Sequence, residues 1–240
     1  MSIQELDREK GQGGLLSEGE KHSTFAKGFY ETYGKRALDV LSAMAGLILL
    51  SPVFALVACW IKLTSRGPVI YRQVRIGQGG RPFQILKFRS MTMQTSNRDL
   101  RITIAGDSRV TPVGKFLRRY KVDELPQLWN VIWGNMSLVG PRPEVPVYIK
   151  EYTPEQCVVL SVRPGITDPA SLAYRHEEEI LADQCDPELF YRTKILPDKL
   201  VLNRAYLEKI TLQNDIRIIV KTISSSFVLA EKQERDARSR

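Results

Sequence analysis

VLSAMAGLILLSPVFALVACWI, residues Val40 to Ile61, runs for 22 positions without a charge. As one straight helix it would rise about 33 Å, enough for a bilayer core of about 30 Å. Near its middle Pro52 offers no N–H to the carbonyl of Ile48, and its ring crowds that turn, so a kink is expected. Each half, about 17 Å long, reaches only mid-bilayer. Lys35 and Arg36 precede the run, and Lys62 and Arg66 follow it, so the positive-inside bias favours neither side. Two readings stay open: an ordinary spanning helix with a proline kink, and a re-entrant helix that bends at Ser51-Pro52 and leaves by the face it entered. In the second, Ser51 returns a hydrogen bond to a freed carbonyl. Asp39, one turn beyond Lys35 and Arg36, is expected to pair with them at headgroup depth.

The 240 residues allow an anchor plus one compact domain. The net charge of +8 suits an anionic partner such as lipid headgroups, nucleotide phosphates or nucleic acid. Nucleic acid is not expected, because the basic residues are scattered among Pro and Gly turns and form no stripe with stacking aromatics. Cys59, Cys157 and Cys185 form no CxxC, which fits a reduced compartment. Residues 1–28 read as a disordered tail without an apolar signal region, 29–67 as the anchor, 68–229 as the catalytic domain and 230–240 as a disordered charged tail. The fold class is α/β, mostly helical: a re-entrant membrane helix followed by a compact cytoplasmic domain with short strands and amphipathic helices. Strands are expected at Val69–Tyr71 and Phe83–Leu86 around Gly77-Gln78-Gly79-Gly80. A short basic helix is expected over Val113–Tyr120, and two amphipathic helices in 200–229 with Leu202, Tyr206 and Ile210 on one face and Ile216, Ile219 and Ile223 on another.

The densest chemistry lies in RRYKVDELPQLWNVIWGNMSLVGPRP, Arg118 to Pro143. Asp123 and Glu124 stand just before Pro126, which suits the first position of a helix; Leu125, Leu128, Val131 and Ile132 follow at helical spacing until Gly134-Asn135. Helix N-termini hold anions such as phosphates. Arg118 lies upstream, and Arg142 is fixed between Pro141 and Pro143. Two acids beside arginines suit a divalent ion together with a carboxylate nucleophile or base. The plainer alternative is a solvated acid pair capping a helix, with the prolines as turn formers.

At these residues the chain closely resembles the bacterial sugar transferase family, the monotopic polyprenol-phosphate phosphoglycosyl transferases. The resemblance rests on Lys35-Arg36 with Asp39, the Ser51-Pro52 break, Gly67-Pro68, Arg75-Ile76-Gly77 and Phe83 through Lys87-Phe88-Arg89-Ser90-Met91. It continues in Asp123-Glu124-Leu125-Pro126-Gln127-Leu128 with Asn130-Val131, then Met136 through Pro143, then Arg163-Pro164-Gly165-Ile166-Thr167. It implies transfer of a phospho-sugar from a UDP-sugar to undecaprenyl phosphate, with release of UMP, at the cytoplasmic face of the bacterial inner membrane. By the same resemblance Asp123 is the nucleophile and magnesium ligand, Glu124 helps hold the Mg2+, and Arg118, Arg142, Lys87 and Arg163 are phosphate contacts. Anionic lipid is an implied partner of the basic anchor flank.

The chain departs from the commonest family pattern after Thr167. It reads Asp168-Pro169-Ala170-Ser171-Leu172-Ala173-Tyr174-Arg175 where Gly and then a Gln and a Gly-Arg pair are usual, and the run Glu177-Glu178-Glu179 follows as an expected solvated helix face. Two other functions remain to be separated: a glycosyltransferase that releases UDP, and a non-catalytic membrane adaptor held by charge.

Overall fold

The structure, a computed structural model, describes residues 30–92 and 102–238. The tail expected over 1–28 lies outside them. A π-helical turn, Tyr30–Gly34, leads into α1 (Lys35–Leu49) and α2 (Ser51–Thr64), which meet at 61°. Ser51 Oγ donates to the carbonyl of Ile48 at 2.8 Å, the acceptor that Pro52 cannot serve. The bend thus has the cause and the repair that the sequence suggested. Among the described residues no single helix is long and apolar enough to cross a membrane; this bent pair has the length and composition only in combination.

The pair is apolar on two sides. Inward, Ala43 packs with Ile85, Leu128, Val131 and Met136, while Val57 and Ile61 pack with Phe88, Val113 and Leu117. Burying each large side chain is worth about 1.5–3 kcal/mol. Outward, Leu41, Ile48, Leu49, Leu56 and Leu63 are exposed. The expected pairing of Asp39 with Lys35 and Arg36 is corrected. Asp39 is buried and accepts from Ser137 Oγ at 2.7 Å and from the Leu138 N–H at 3.1 Å. Lys35 instead meets Asp215 at 2.5 Å, and Arg36 donates to the carbonyls of Val131 and Ile132. Facing the domain, these groups find partners that stay fixed, where a surface pair would hold two long side chains for little gain.

Strands β1 (Ile70–Ile76) and β2 (Pro82–Phe88) form an antiparallel hairpin with Ile70 opposite Phe88. Gly79 and Gly80 turn it with φ of 67° and 73°, a region that costs glycine nothing. Helix α3 (Pro112–Arg119) is capped by Thr111, whose hydroxyl accepts the Gly114 N–H at 2.9 Å. A 3-10 turn, Val122–Glu124, precedes α4 (Gln127–Ile132), which stops before Gly134. Strands β3 (Ser137–Val139) and β4 (Gly165–Thr167) pair in parallel. Nothing in the periodicity pointed to them, since each has three residues inside a Gly- and Pro-rich segment. Gly140 and Gly165 let the two backbones meet: a Cβ on Gly165 would lie 2.2 Å from the Gly140 nitrogen.

The remaining elements are α5 (Pro146–Ile149), α6 (Pro169–Ala173), α7 (Glu177–Ala182), α8 (Pro187–Phe190), α9 (Leu196–Leu207) and α10 (Leu212–Arg238). Tyr148, Val159, Leu181, Tyr191, Ile195 and Leu200 make a core shared by α5, α7, α8 and α9, while Ile218 of α10 and Leu172 of α6 pack with Val139 and Tyr206. Helix α10 runs past residue 229 through a stretch of good helix formers, Ala230 to Arg238. Tyr206 is buried with Ile210 packed beside it, and of the row on α10 Ile219 packs against the same cluster as the buried Ile218 while Ile216 and Ile223 are exposed.

Candidate active site

The acid pair is set by an unusual backbone. Lys121 adopts φ 57° and ψ 19°, a left-handed conformation costly for a side chain with a Cβ. The chain then tightens: the Glu124 N–H reaches the Lys121 carbonyl and the Leu125 N–H reaches that of Val122, both at 3.2 Å. Asp123 and Glu124 end up 6% and 8% exposed. With α4 only six residues long, the charge around the pair is set by side chains from other elements.

Glu124 is held from two sides. Lys87 Nζ on β2 lies 2.8 Å from Oε1, and the Arg142 guanidinium forks onto both carboxylate oxygens. Burial alone would raise the Glu124 carboxyl; Arg142 and then Lys87 outweigh it and hold the group well below the usual carboxylate range. Lys87 is placed by Asn130 of α4, which donates to the Gln84 carbonyl at 2.8 Å and accepts the Leu86 N–H at 3.0 Å. Arg142 is placed by Asp168, whose Oδ2 accepts the Arg142 backbone N–H at 2.8 Å and Asn203 Nδ2 at 3.0 Å. Asp168 also caps α6 by accepting the Ser171 N–H. The departure at Asp168 therefore sits directly behind the arginine of the pair.

Asp123 has the opposite surroundings. Its Oδ1 is buried with no hydrogen-bond partner among the described residues. Burial and then the neighbouring Glu124 push its carboxyl up, against Lys87, Lys121 and Arg118. A carboxylate oxygen left bare costs about 1–3 kcal/mol or more, which is what a group waiting for a phosphorus, a proton or a cation looks like. Four residues on, Gln127 is buried with both amide atoms unpartnered. It was given no role in the sequence reading although it lies inside the quoted DELPQL string; an amide between Pro126 and Leu128 signals no chemistry by type.

The described residues contain no group of three or more His, Cys, Asp or Glu that could hold a metal unaided. The bare Oδ1 of Asp123 beside Glu124 does fit magnesium, which takes one or two carboxylates and completes its shell with waters and substrate phosphates.

The structure brings Asp123, Glu124, Lys87 and Arg142 together. Arg118 is near enough to act on Asp123 electrostatically, but its guanidinium bonds Glu178 at 2.5 Å. Glu177 pairs with Lys199, so two members of the acidic run are tied into the fold, contrary to a simple solvated face. The side chain of Arg163 does not join the cluster. Its Nε donates to the Gly134 carbonyl at 3.1 Å and it lines a separate cavity with Lys35 and Arg36.

The profile of the family described as Bacterial sugar transferase matches residues 30–228. A UDP-N-acetylgalactosamine-undecaprenyl-phosphate N-acetylgalactosaminephosphotransferase of Aeromonas hydrophila is 37% identical over 192 residues, covering 79% of this chain and 42% of its own. A UDP-glucose:undecaprenyl-phosphate glucose-1-phosphate transferase of Caulobacter vibrioides is 37% identical over 195 residues, 80% of this chain and 68% of its own. The exopolysaccharide production protein ExoY of Rhizobium meliloti is 34% identical over 204 residues, 79% of this chain and 83% of its own. The chain thus spans less than half of the Aeromonas relative and most of the Rhizobium one. With the profile covering nearly every described residue, from the turn before the bent helices to the middle of α10, the chain belongs to the bacterial sugar transferase family.

Proposed function

We propose that this chain is a phosphoglycosyl transferase, moving a phospho-sugar from a UDP-sugar to undecaprenyl phosphate with release of UMP and so starting a membrane-assembled glycan. The observation that carries the reading is the bare, buried carboxylate of Asp123 beside a Glu124 clamped by Lys87 and Arg142. The names of the relatives support the substrates, since two of them state a UDP-sugar and undecaprenyl phosphate.

In the proposed reaction an Asp123 oxygen attacks the sugar-linked phosphorus. The bond from that phosphorus to the bridging oxygen breaks, and UMP leaves with the electron pair, giving an aspartyl phospho-sugar. An oxygen of undecaprenyl phosphate then attacks the same phosphorus and returns Asp123 as a free carboxylate. An anionic nucleophile approaching a diphosphate needs cations preorganised around it. Arg142 and Lys87 supply two, and Arg118 a third once a phosphate replaces the 45%-exposed Glu178 side chain. Magnesium, held by Asp123 and Glu124, would further neutralise the diphosphate when bound.

The bent pair α1–α2 serves this chemistry as a re-entrant anchor from the cytoplasmic face of the bacterial inner membrane. Its exposed leucines match hydrocarbon, while its inner face is packed on the helix that follows the acid pair. The test is incubation with a labelled UDP-sugar and magnesium without acceptor. Stoichiometric UMP and label on the peptide carrying Asp123 are expected, and undecaprenyl phosphate should discharge the label. Release of UDP would establish the glycosyltransferase reading instead, and no nucleotide product across a panel of UDP-sugars would leave the adaptor.

A further inference from the structure

Helix α7 opens with three consecutive carboxylates, and each has a different partner. Glu177 pairs with Lys199, itself seated against the Tyr191 ring, and Glu179 meets His176 Nδ1 at 3.2 Å. Glu178 crosses to the active-site side and accepts from the Arg118 guanidinium at 2.5 Å. Its backbone is fixed: the Glu178 carbonyl accepts the Ala105 N–H at 3.0 Å, and Leu181, one turn on, is buried against Tyr148 and Tyr191. Its carboxylate is held more loosely, since 45% of the side chain is exposed. An ion pair in that setting contributes little, because water solvates the separated charges nearly as well. The contact can open by rotation of one side chain while α7 stays in place.

Arg118 also acts on Asp123, whose Oδ1 has no hydrogen-bond partner among the described residues. Asp107, another carboxylate that feels Arg118, is already held by Arg109. The cation nearest in role to the reacting carboxyl is thus occupied by a half-exposed acid. We propose that Glu178 is an internal competitor for the phosphate site at Arg118, displaced when the donor binds and returning to help expel the nucleoside monophosphate. The proposal deepens the transferase reading and rests on it for the phosphate that Arg118 meets. A phosphate monoester carries a charge of about −1.5 to −2 near neutral pH, whereas each diester phosphate of a UDP-sugar carries a single charge. Unopposed, the arginine would hold the leaving product more tightly than the donor.

The test measures binding of UMP and of uridine to the full chain in neutral detergent by titration calorimetry, with no acceptor present. Glu178→Gln should tighten UMP about fivefold, the upper range for an exposed ion pair, and leave uridine unchanged. Glu179→Gln removes the same charge from the same helix without touching Arg118 and should change neither ligand. In an Arg118→Gln background, Glu178→Gln should have no further effect on UMP. Glu178→Ala keeps the backbone bond to Ala105 and carries the test if Glu178→Gln is unstable. Unchanged UMP affinity in the Glu178 variant, an equal gain for uridine or in Glu179→Gln, or a full gain without Arg118 would each overturn the proposal. Failure of UMP to bind any of these proteins would also overturn it, while the nucleotide released in turnover judges the transferase reading separately.

Discussion

Replacing Asp123 by Asn and Glu124 by Gln removes one negative charge in each case, yet the surroundings give the two changes opposite effects on stability. The Asp123 carboxyl is raised in the folded chain, so ionising it opposes folding; that penalty is absent below the ordinary carboxylate range and grows as pH rises through the raised value. Asp123→Asn should therefore unfold about 2–4 °C higher near neutral pH, the scale of about 1 kcal/mol in a chain this long, while abolishing turnover. Glu124 is lowered, so its contribution is present above the ordinary carboxylate range and is lost as pH falls through the depressed value. Glu124→Gln leaves Lys87 and Arg142 facing a neutral amide and should cost about 3 kcal/mol. Thermal melts of both variants between pH 4 and pH 8 check the signs; the same sign for both would refute the assigned environments. Turnover should fall as pH drops through the raised Asp123 value. Asp168→Asn keeps the shape but loses the charge behind the Arg142 N–H, and should lower kcat about tenfold with a smaller change in KM, measured by UMP release. Asp123, Glu124 and Arg142 were legible because their residue types announce chemistry. Gln127 and the supporting role of Asp168 were not, because both depend on which segment folds over them.

At the scale of elements, the bend in the anchor and the hairpin were readable because their causes are local: a missing N–H, and two glycines in a turn. The β3–β4 pair was not readable, since it joins segments some 25 residues apart and shows only as two glycines too close to bear side chains. The same distinction separates α10, whose apolar row was seen but whose inward face is chosen by the Asp215 contacts with Tyr30, Lys35 and Tyr206. The joint between α1 and α2 is open to a direct test. With Ser51→Ala and Pro52→Leu the run becomes an unbroken helix of about 33 Å. In the parent, cysteines at Tyr33 and Arg66, in a background without Cys59, Cys157 and Cys185, should both resist a membrane-impermeant thiol reagent in intact cells. In the double variant the position-33 cysteine should become labelled. Labelling of that position in the parent would refute the re-entrant anchor and leave the reaction chemistry standing.

Across the whole molecule, the bent pair α1–α2 and the domain that follows it are parts of one packed body. Ala43 of α1 shares a core with Val131 of α4, Asp39 holds Ser137 and Leu138 of β3, and Asp215 of α10 binds Tyr30 and Lys35. A chain truncated after Glu208 should still reach the membrane fraction, since α1 and α2 are complete, yet be cleaved by trypsin far faster than the parent. Equal resistance would show that α10 is dispensable to the seat of the anchor. The contacts of Asp215 also bear on how the protein is made. They span 185 and 180 residues, so when α1 and α2 leave the ribosome their acidic partner has not been synthesised. In the anchor proposed above, the bent pair would meet the lipid before the remainder closes over it, and the final act of folding would be α10 fastening α1 at its chosen depth.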